Sequence, residues 1–182
     1  MTTLIAFLRG INVGGHNKVP MAELRDLAGS IGLANPSTYI QSGNLVFESA
    51  HDHEEVRARL ESALESHFGF EIPVVLRTRA DLDRVAQSHP FLSLGLTDSH
   101  LMVAFLGREP EAVAREALDT AEFEPDSFVL AGREVFLAYP NGSGRSKLSQ
   151  SLLERRLGVT VTIRNRRTVL RLIEMSNPVN RP

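Results

Sequence analysis

Two short stretches hold most of the residues suited to chemistry. One is Asn141 to Lys147, N-G-S-G-R-S-K. Its glycines, Gly142 and Gly144, let successive backbone N–H groups turn toward one point. Such a nest attracts an anion, as does the start of the helix expected to follow. Asn141, Arg145, Ser146 and Lys147 add side-chain donors, and arginine's planar fork suits phosphate or carboxylate. Farther along, R-N-R-R supplies Arg164, Asn165, Arg166 and Arg167. The spacing is not that of a Walker loop, because Gly-x-x-x-x-Gly-Lys-Ser/Thr is absent. Gly142-x-Gly144 also lacks the third glycine and the parallel context of a dinucleotide fingerprint. The plain alternative is a flexible connection with solvated basic side chains.

The other stretch is Arg9 to Lys18, R-G-I-N-V-G-G-H-N-K, taken with Gln41 to Asn44, Q-S-G-N. Its candidate ligand-contacting residues are Arg9, Asn12, Gly14, Gly15, Lys18, Gln41, Ser42 and Asn44. Asn and Gly also serve turns for backbone reasons alone. His16, beside the glycines, is a candidate acid or base, but no partner for it is evident. Beyond these loops no catalytic set assembles. There is no Gly-x-Ser-x-Gly elbow and no His-Glu-x-x-His. His51-Asp52-His53 precedes a helix in a polar stretch and is read as solvated rather than as a metal site. Catalytic residues are therefore not assigned, and no metal or cofactor is expected.

The elements that must position these loops follow from hydrophobic spacing. Leu4–Leu8 reads as a buried strand. Pro20 opens a helix with Met21, Leu24, Leu27, Ala28 and Ile31 on one face. Two strands meet at Ser42-Gly43-Asn44. A helix with Val56, Leu60, Ala63, Leu64 and Phe68 ends at Gly69, a strand runs from Ile72 to Arg77, and a short helix closes the run. The pattern then returns. Leu101–Leu106 is a strand, and Pro110 opens a helix with Val113, Ala114, Ala117, Leu118 and Ala121. A hairpin turns at Gly132-Arg133, a helix over Ser149–Leu157 stops at Gly158, and a strand over 159–164 and a last helix follow. Ala6-Phe7-Leu8 recurs as Ala104-Phe105-Leu106, and Gly43, Val46 and Phe47 recur as Gly132, Val135 and Phe136. Several echoes in one order point to internal duplication.

The expected architecture is α+β: two ferredoxin-like (βαββαβ) halves with antiparallel sheets and helices on one face. The halves are placed at 1–90 and 98–182, with 91–97 as linker. Alternating chain direction then assigns loops to sheet edges. Arg9–Lys18 should meet Gln41–Asn44, and Asn141–Lys147 should share an edge with Arg164–Arg167.

Composition narrows the classes further. The chain has 182 residues, a net charge of −2 and no cysteine. Any polyanion contact must therefore be local, and thiol chemistry is removed. No apolar run approaches the roughly 20 residues of a membrane span. The first strand begins too early for a secretory leader, so a cytoplasmic protein is expected. RNA-recognition modules share this topology, but only Phe7 and Phe47 stand on the equivalent strands and the aromatic signature is missing. Nucleic acid is not expected as a partner.

R-G-I-N-V-G-G at Arg9–Gly15, T-Y-I-Q-S-G-N at Thr38–Asn44 and G-R-S-K-L at Gly144–Leu148 resemble the domain-of-unknown-function 1697 family over nearly the whole chain. The resemblance implies a bacterial cytoplasmic protein of paired ferredoxin-like halves with no established activity. The family's late segment commonly reads Thr-Arg-Asn-Trp, whereas this chain has Ile163-Arg164-Asn165-Arg166, with Arg166 in place of tryptophan. The reading is a protein that binds a small anionic, phosphorylated ligand through its glycine-rich loops. The alternatives are an enzyme acting on such a ligand, with Arg9, His16 or Lys18 as its polar groups, and a partner-binding or RNA-binding module.

Overall fold

The computed structural model describes residues 1–116, 118 and 120–177, without the side chains of 120 and 121. Among these residues its compact units comprise Met1–Leu82 with Arg171–Asn177, and Asp83–Leu170. Each carries one four-stranded antiparallel sheet.

In the first unit the elements are β1 (Thr2–Leu8), α1 (Met21–Ser30), β2 (Ala34–Tyr39), β3 (Asn44–Ser49), α2 (His53–Phe68) and β4 (Val74–Thr78). The sheet order is β2-β3-β1-β4, the ferredoxin-like order. Leu4, Ala6 and Leu8 from β1, Leu45 and Phe47 from β3, and Val74 and Leu76 from β4 form one cluster with Leu24 and Ala28 of α1 and Val56, Leu60 and Leu64 of α2. Burying Leu60 and Leu64 fully stabilises the fold by about 1.5–3 kcal/mol each. Ile5, Phe7, Val46 and Val75, on the other face of the strands, are buried too. β1 is therefore an unbroken apolar run rather than an alternating one. Phe7 and Phe47 are both fully buried, so neither offers a stacking platform to a base.

α2 shows how local chemistry sets an element's limits. The Asp52 side chain accepts from the Glu54 amide at its start, and Gly69 closes it in the left-handed conformation, its N–H donating to the Glu65 carbonyl. Asp52 thus serves as a helix cap. Neighbouring His51 lies 3.1 Å from Glu55, and no group of three or more His, Cys, Asp or Glu able to hold a metal occurs among the described residues.

α3 (Arg79–Gln87) follows β4 and spans the division between the units. The second unit continues with β5 (Leu101–Leu106), α4 (Ala112–Glu116), β6 (Ser127–Ala131), β7 (Glu134–Ala138), α5 (Gln150–Leu157), β8 (Val161–Asn165) and the start of α6 (Arg166–Met175). Its sheet order is β6-β7-β5-β8, again ferredoxin-like. The strand and helix sequence agrees with two similar halves. Gly132-Arg133 makes a two-residue turn between β6 and β7, the Ser149 hydroxyl caps α5 and Gly158 stops it. The helix expected from Pro110 through Ala121 is shorter than its apolar spacing suggested. It ends at Glu116, and a separate 3-10 turn covers Thr120–Phe123. Val113, expected on its buried face, is 78% exposed. Thr120, a weak helix former, opens the 3-10 turn instead. Ala117 and the side chain of Ala121 lie outside the described residues. Among the described residues no helix is long and apolar enough to cross a membrane.

Candidate functional site

The loop after β1 is held by its asparagines. The Asn12 amide group donates to the carbonyls of Val19 (3.0 Å) and Gln41 (2.8 Å), while its oxygen accepts from the Val19 amide (2.9 Å). Asn17 donates to the Gly10 carbonyl (3.0 Å). Both asparagines have positive φ, which their short polar side chains tolerate better than most. The Leu8 amide donates to the Gly43 carbonyl (2.8 Å). Phe7 pairs with Asn44, so the expected meeting of this loop with Gln41–Asn44 takes place across one strand spacing. Asn44, fully buried, donates to the Tyr39 carbonyl and the Ser42 hydroxyl, each at 3.0 Å.

Gly43 sits at the centre of this junction. Its φ is +77°, and a β-carbon there would lie 2.8 Å from both Leu8 and Ile11. Thus Asn12, Asn17, Gly43 and Asn44 build the loop. The groups left facing solvent are Gly14, Gly15, His16, Lys18 and Gln41, with Arg9 and Ser42 half-buried. Asn12, Gly15, Lys18 and Gln41 line a shallow depression of about 700 Å³ with 19–22. Neither His16 nor Lys18 makes a side-chain hydrogen bond or ion pair among the described residues, so no acid–base pair forms. Ile40, next to Gln41, is half exposed and holds φ of +49°, a conformation that β-branched residues rarely adopt.

The loop after β7 borders a second cavity. Asn141, Gly142, Gly144, Arg145, Ser146 and Lys147 line a cavity of about 670 Å³, whose other wall is Glu122–Asp126. Both walls are pinned. Tyr139, buried, donates from its hydroxyl to the Leu148 carbonyl (2.7 Å), tying the end of β7 to the approach to α5. Burial of the Tyr139 hydroxyl pushes its pKa up, first by desolvation and then through Asp126. The Ser146 hydroxyl accepts from the Leu148 amide (2.9 Å). On the opposite wall Phe123 is buried, with an edge contact to Phe128, and Arg156 pairs with Glu122 at 2.9 Å.

Gly142 has φ 80° and ψ 154°, a region essentially restricted to glycine. It turns the chain into a one-turn 3-10 segment, Ser143–Arg145. Arg145 and Lys147 are exposed, and neither side chain makes a hydrogen bond or ion pair among the described residues. The backbone amides of Ser143 and Gly144 likewise have no protein acceptor there.

The four basic and polar residues of the β8 end do not line this cavity. Arg164 is buried and donates to the Thr162 hydroxyl (2.7 Å) and the Ile163 carbonyl (2.9 Å). Desolvation lowers its pKa to about 10, still well above neutrality. Asn165 accepts from the Thr168 amide and caps α6. Arg166 pairs with Asp98 at 2.5 Å, and the Arg167 amide donates to the Asp98 carbonyl, leaving its side chain exposed. Sheet order supplies the reason. β6 is next to β7, with Ser127 opposite Ala138, whereas β8 lies beyond β5, about two strand spacings or 9.5 Å away. The loop's neighbour is therefore the segment entering β6. The clue available beforehand was E-F-E-P-D immediately ahead of that strand.

A family model described as a protein of unknown function (DUF1697) matches residues 1–136. The first loop and its turn lie inside the matched residues, and the Asn141–Lys147 loop lies after them. No curated protein matches the chain. Among solved structures, that of a conserved bacterial protein, SP0830 from Streptococcus pneumoniae, is similar with a TM-score of 0.71 and 24% identity. The similarity covers 97% of this chain and 98% of that one, and it shows the fold.

Proposed function

The chain belongs to the DUF1697 family, whose description carries no activity, and on that premise we propose that it binds a small anionic, phosphorylated ligand at the loop after β7. One observation carries this reading. Among the described residues Arg145 and Lys147 stand exposed without an ion-pair partner, on a glycine-shaped loop that lines a cavity of about 670 Å³. That size falls within the usual range for small-molecule sites. The Gly144 amide, without a protein acceptor among the described residues, adds a donor with fixed direction at the cavity. The pinned walls support the reading too, because a site already ordered loses less entropy on binding.

The test is titration calorimetry with inorganic phosphate and pyrophosphate at low ionic strength. Arg145→Ala/Lys147→Ala is expected to weaken pyrophosphate binding at least about tenfold, as loss of two charge-assisted contacts implies. Added salt should weaken wild-type binding in the same direction. Wild-type protein that binds neither anion, or a double variant that binds as wild type does, removes the proposal.

A further inference from the structure

The wall facing the basic loop is acidic, and we propose that this cavity takes a ligand with two ends: an anionic group held by Arg145 and Lys147, and an amine held by Glu124 and Asp126. The class is an aminated phosphate or a similar zwitterion. This rests on the anion-binding reading and adds the second charge to it.

Glu122, Glu124 and Asp126 all line the cavity with Arg145 and Lys147. Their situations differ. Glu122 is already engaged by Arg156 at 2.9 and 3.1 Å. Glu124 and Asp126 have no ion pair or hydrogen bond to their carboxylates among the described residues. Nor do they reach across to the basic loop, since no N···O approach within 4.0 Å joins either carboxylate to Arg145 or Lys147. Two unsatisfied positive groups and two unsatisfied negative groups thus share one cavity without neutralising one another.

A ligand with anionic groups alone would meet repulsion from the acidic wall. One with an amine at the far end turns that repulsion into attraction. A bare metal ion fits less well, because no group of three or more His, Cys, Asp or Glu able to hold one occurs among the described residues. Phe123 and Pro125 line the same cavity and offer apolar contact to a methylene chain joining the two ends.

The experiment measures affinities for aminoalkyl phosphates of graded chain length beside alkyl phosphates of matching length. At the best length the amine should tighten binding about fivefold, the upper range for a solvent-accessible ion pair. Glu124→Gln/Asp126→Asn should erase that preference and leave the alkyl phosphate bound as well as before or better. Circular dichroism of the variant checks that it is folded, and Glu111→Gln, at an exposed carboxylate outside the cavity lining, serves as a charge control expected to keep the preference. Equal binding of amine and amine-free phosphates at every length overturns the two-ended ligand while the anion site stands. Wild-type protein that binds no phosphate of either kind overturns both.

Discussion

Gly43 carries a double constraint that neighbouring positions do not. A side chain there must adopt a left-handed φ of +77° and must also displace Leu8 and Ile11, each approached to 2.8 Å. Strain of about 1–2 kcal/mol and overpacking of about 1–3 kcal/mol act together. Gly43→Ala is therefore expected to destabilise the chain by about 2–4 kcal/mol in urea unfolding. The same change at Gly14, where a β-carbon meets nothing within 4 Å, should cost less. A Gly43→Ala loss no larger than that of Gly14→Ala counts against the packing argument. Glycines are easy to notice in a sequence, but this distinction between them is not, because it depends on Ile11 folding back over the β2–β3 turn. The asparagines carry the same lesson. Asn12 reads as a candidate ligand donor, yet its amide is occupied by the Val19 and Gln41 carbonyls.

At the scale of elements, the legible features are those whose cause lies within a few residues. The Asp52 and Ser149 caps, the glycine stops at Gly69 and Gly158, and the Gly132-Arg133 turn each have a local signature. α4 has periodic apolar residues without such support, and it ends early. The acidic wall of the cavity was not legible for a different reason. Chain direction assigns a loop to a sheet edge, but only strand order decides which segment stands beside it. That wall and the basic loop depend on the Tyr139 hydroxyl, which joins β7 to the start of α5. Tyr139→Phe leaves the buried Leu148 carbonyl without this donor and is expected to destabilise the second unit by about 1–3 kcal/mol. Thermal melting followed by far-ultraviolet circular dichroism checks it, and an unchanged melting temperature would show that the bond contributes nothing net.

The stability of the whole molecule should depend on pH through His89. This ring is 3% exposed and has edge contacts with Phe91 and Phe136. Nε2 lies 3.1 Å from the Met102 carbonyl, and Nδ1 accepts from the Phe91 amide at 3.4 Å. That arrangement suits the neutral tautomer with its proton on Nε2. Desolvation lowers the pKa below the ordinary 6.5; the Met102 carbonyl opposes the shift and Arg166 adds to it. As pH falls, the unfolded chain takes up this proton before the folded one does. The stabilisation is therefore complete above about 6.5 and is lost progressively below it, as pH approaches the lower folded value. Urea unfolding at pH 7.5 and 5.5 should show a larger acid loss for wild type than for His89→Gln. Equal losses would assign the pH dependence to other groups.

The hydroxyl link between Tyr139 and Leu148 has a further consequence, for proteolysis. Arg145 and Lys147 are the residue types after which trypsin cuts, and both stand in solvent. A protease must nevertheless draw an extended length of backbone into its cleft, and here the segment is clasped at its two ends. The rate at which native protein is nicked then reports how often the clasp releases. A molecule seated on the loop would slow the nicking by shielding the bonds and by keeping the clasp shut, so digestion time alone could reveal occupancy without any label.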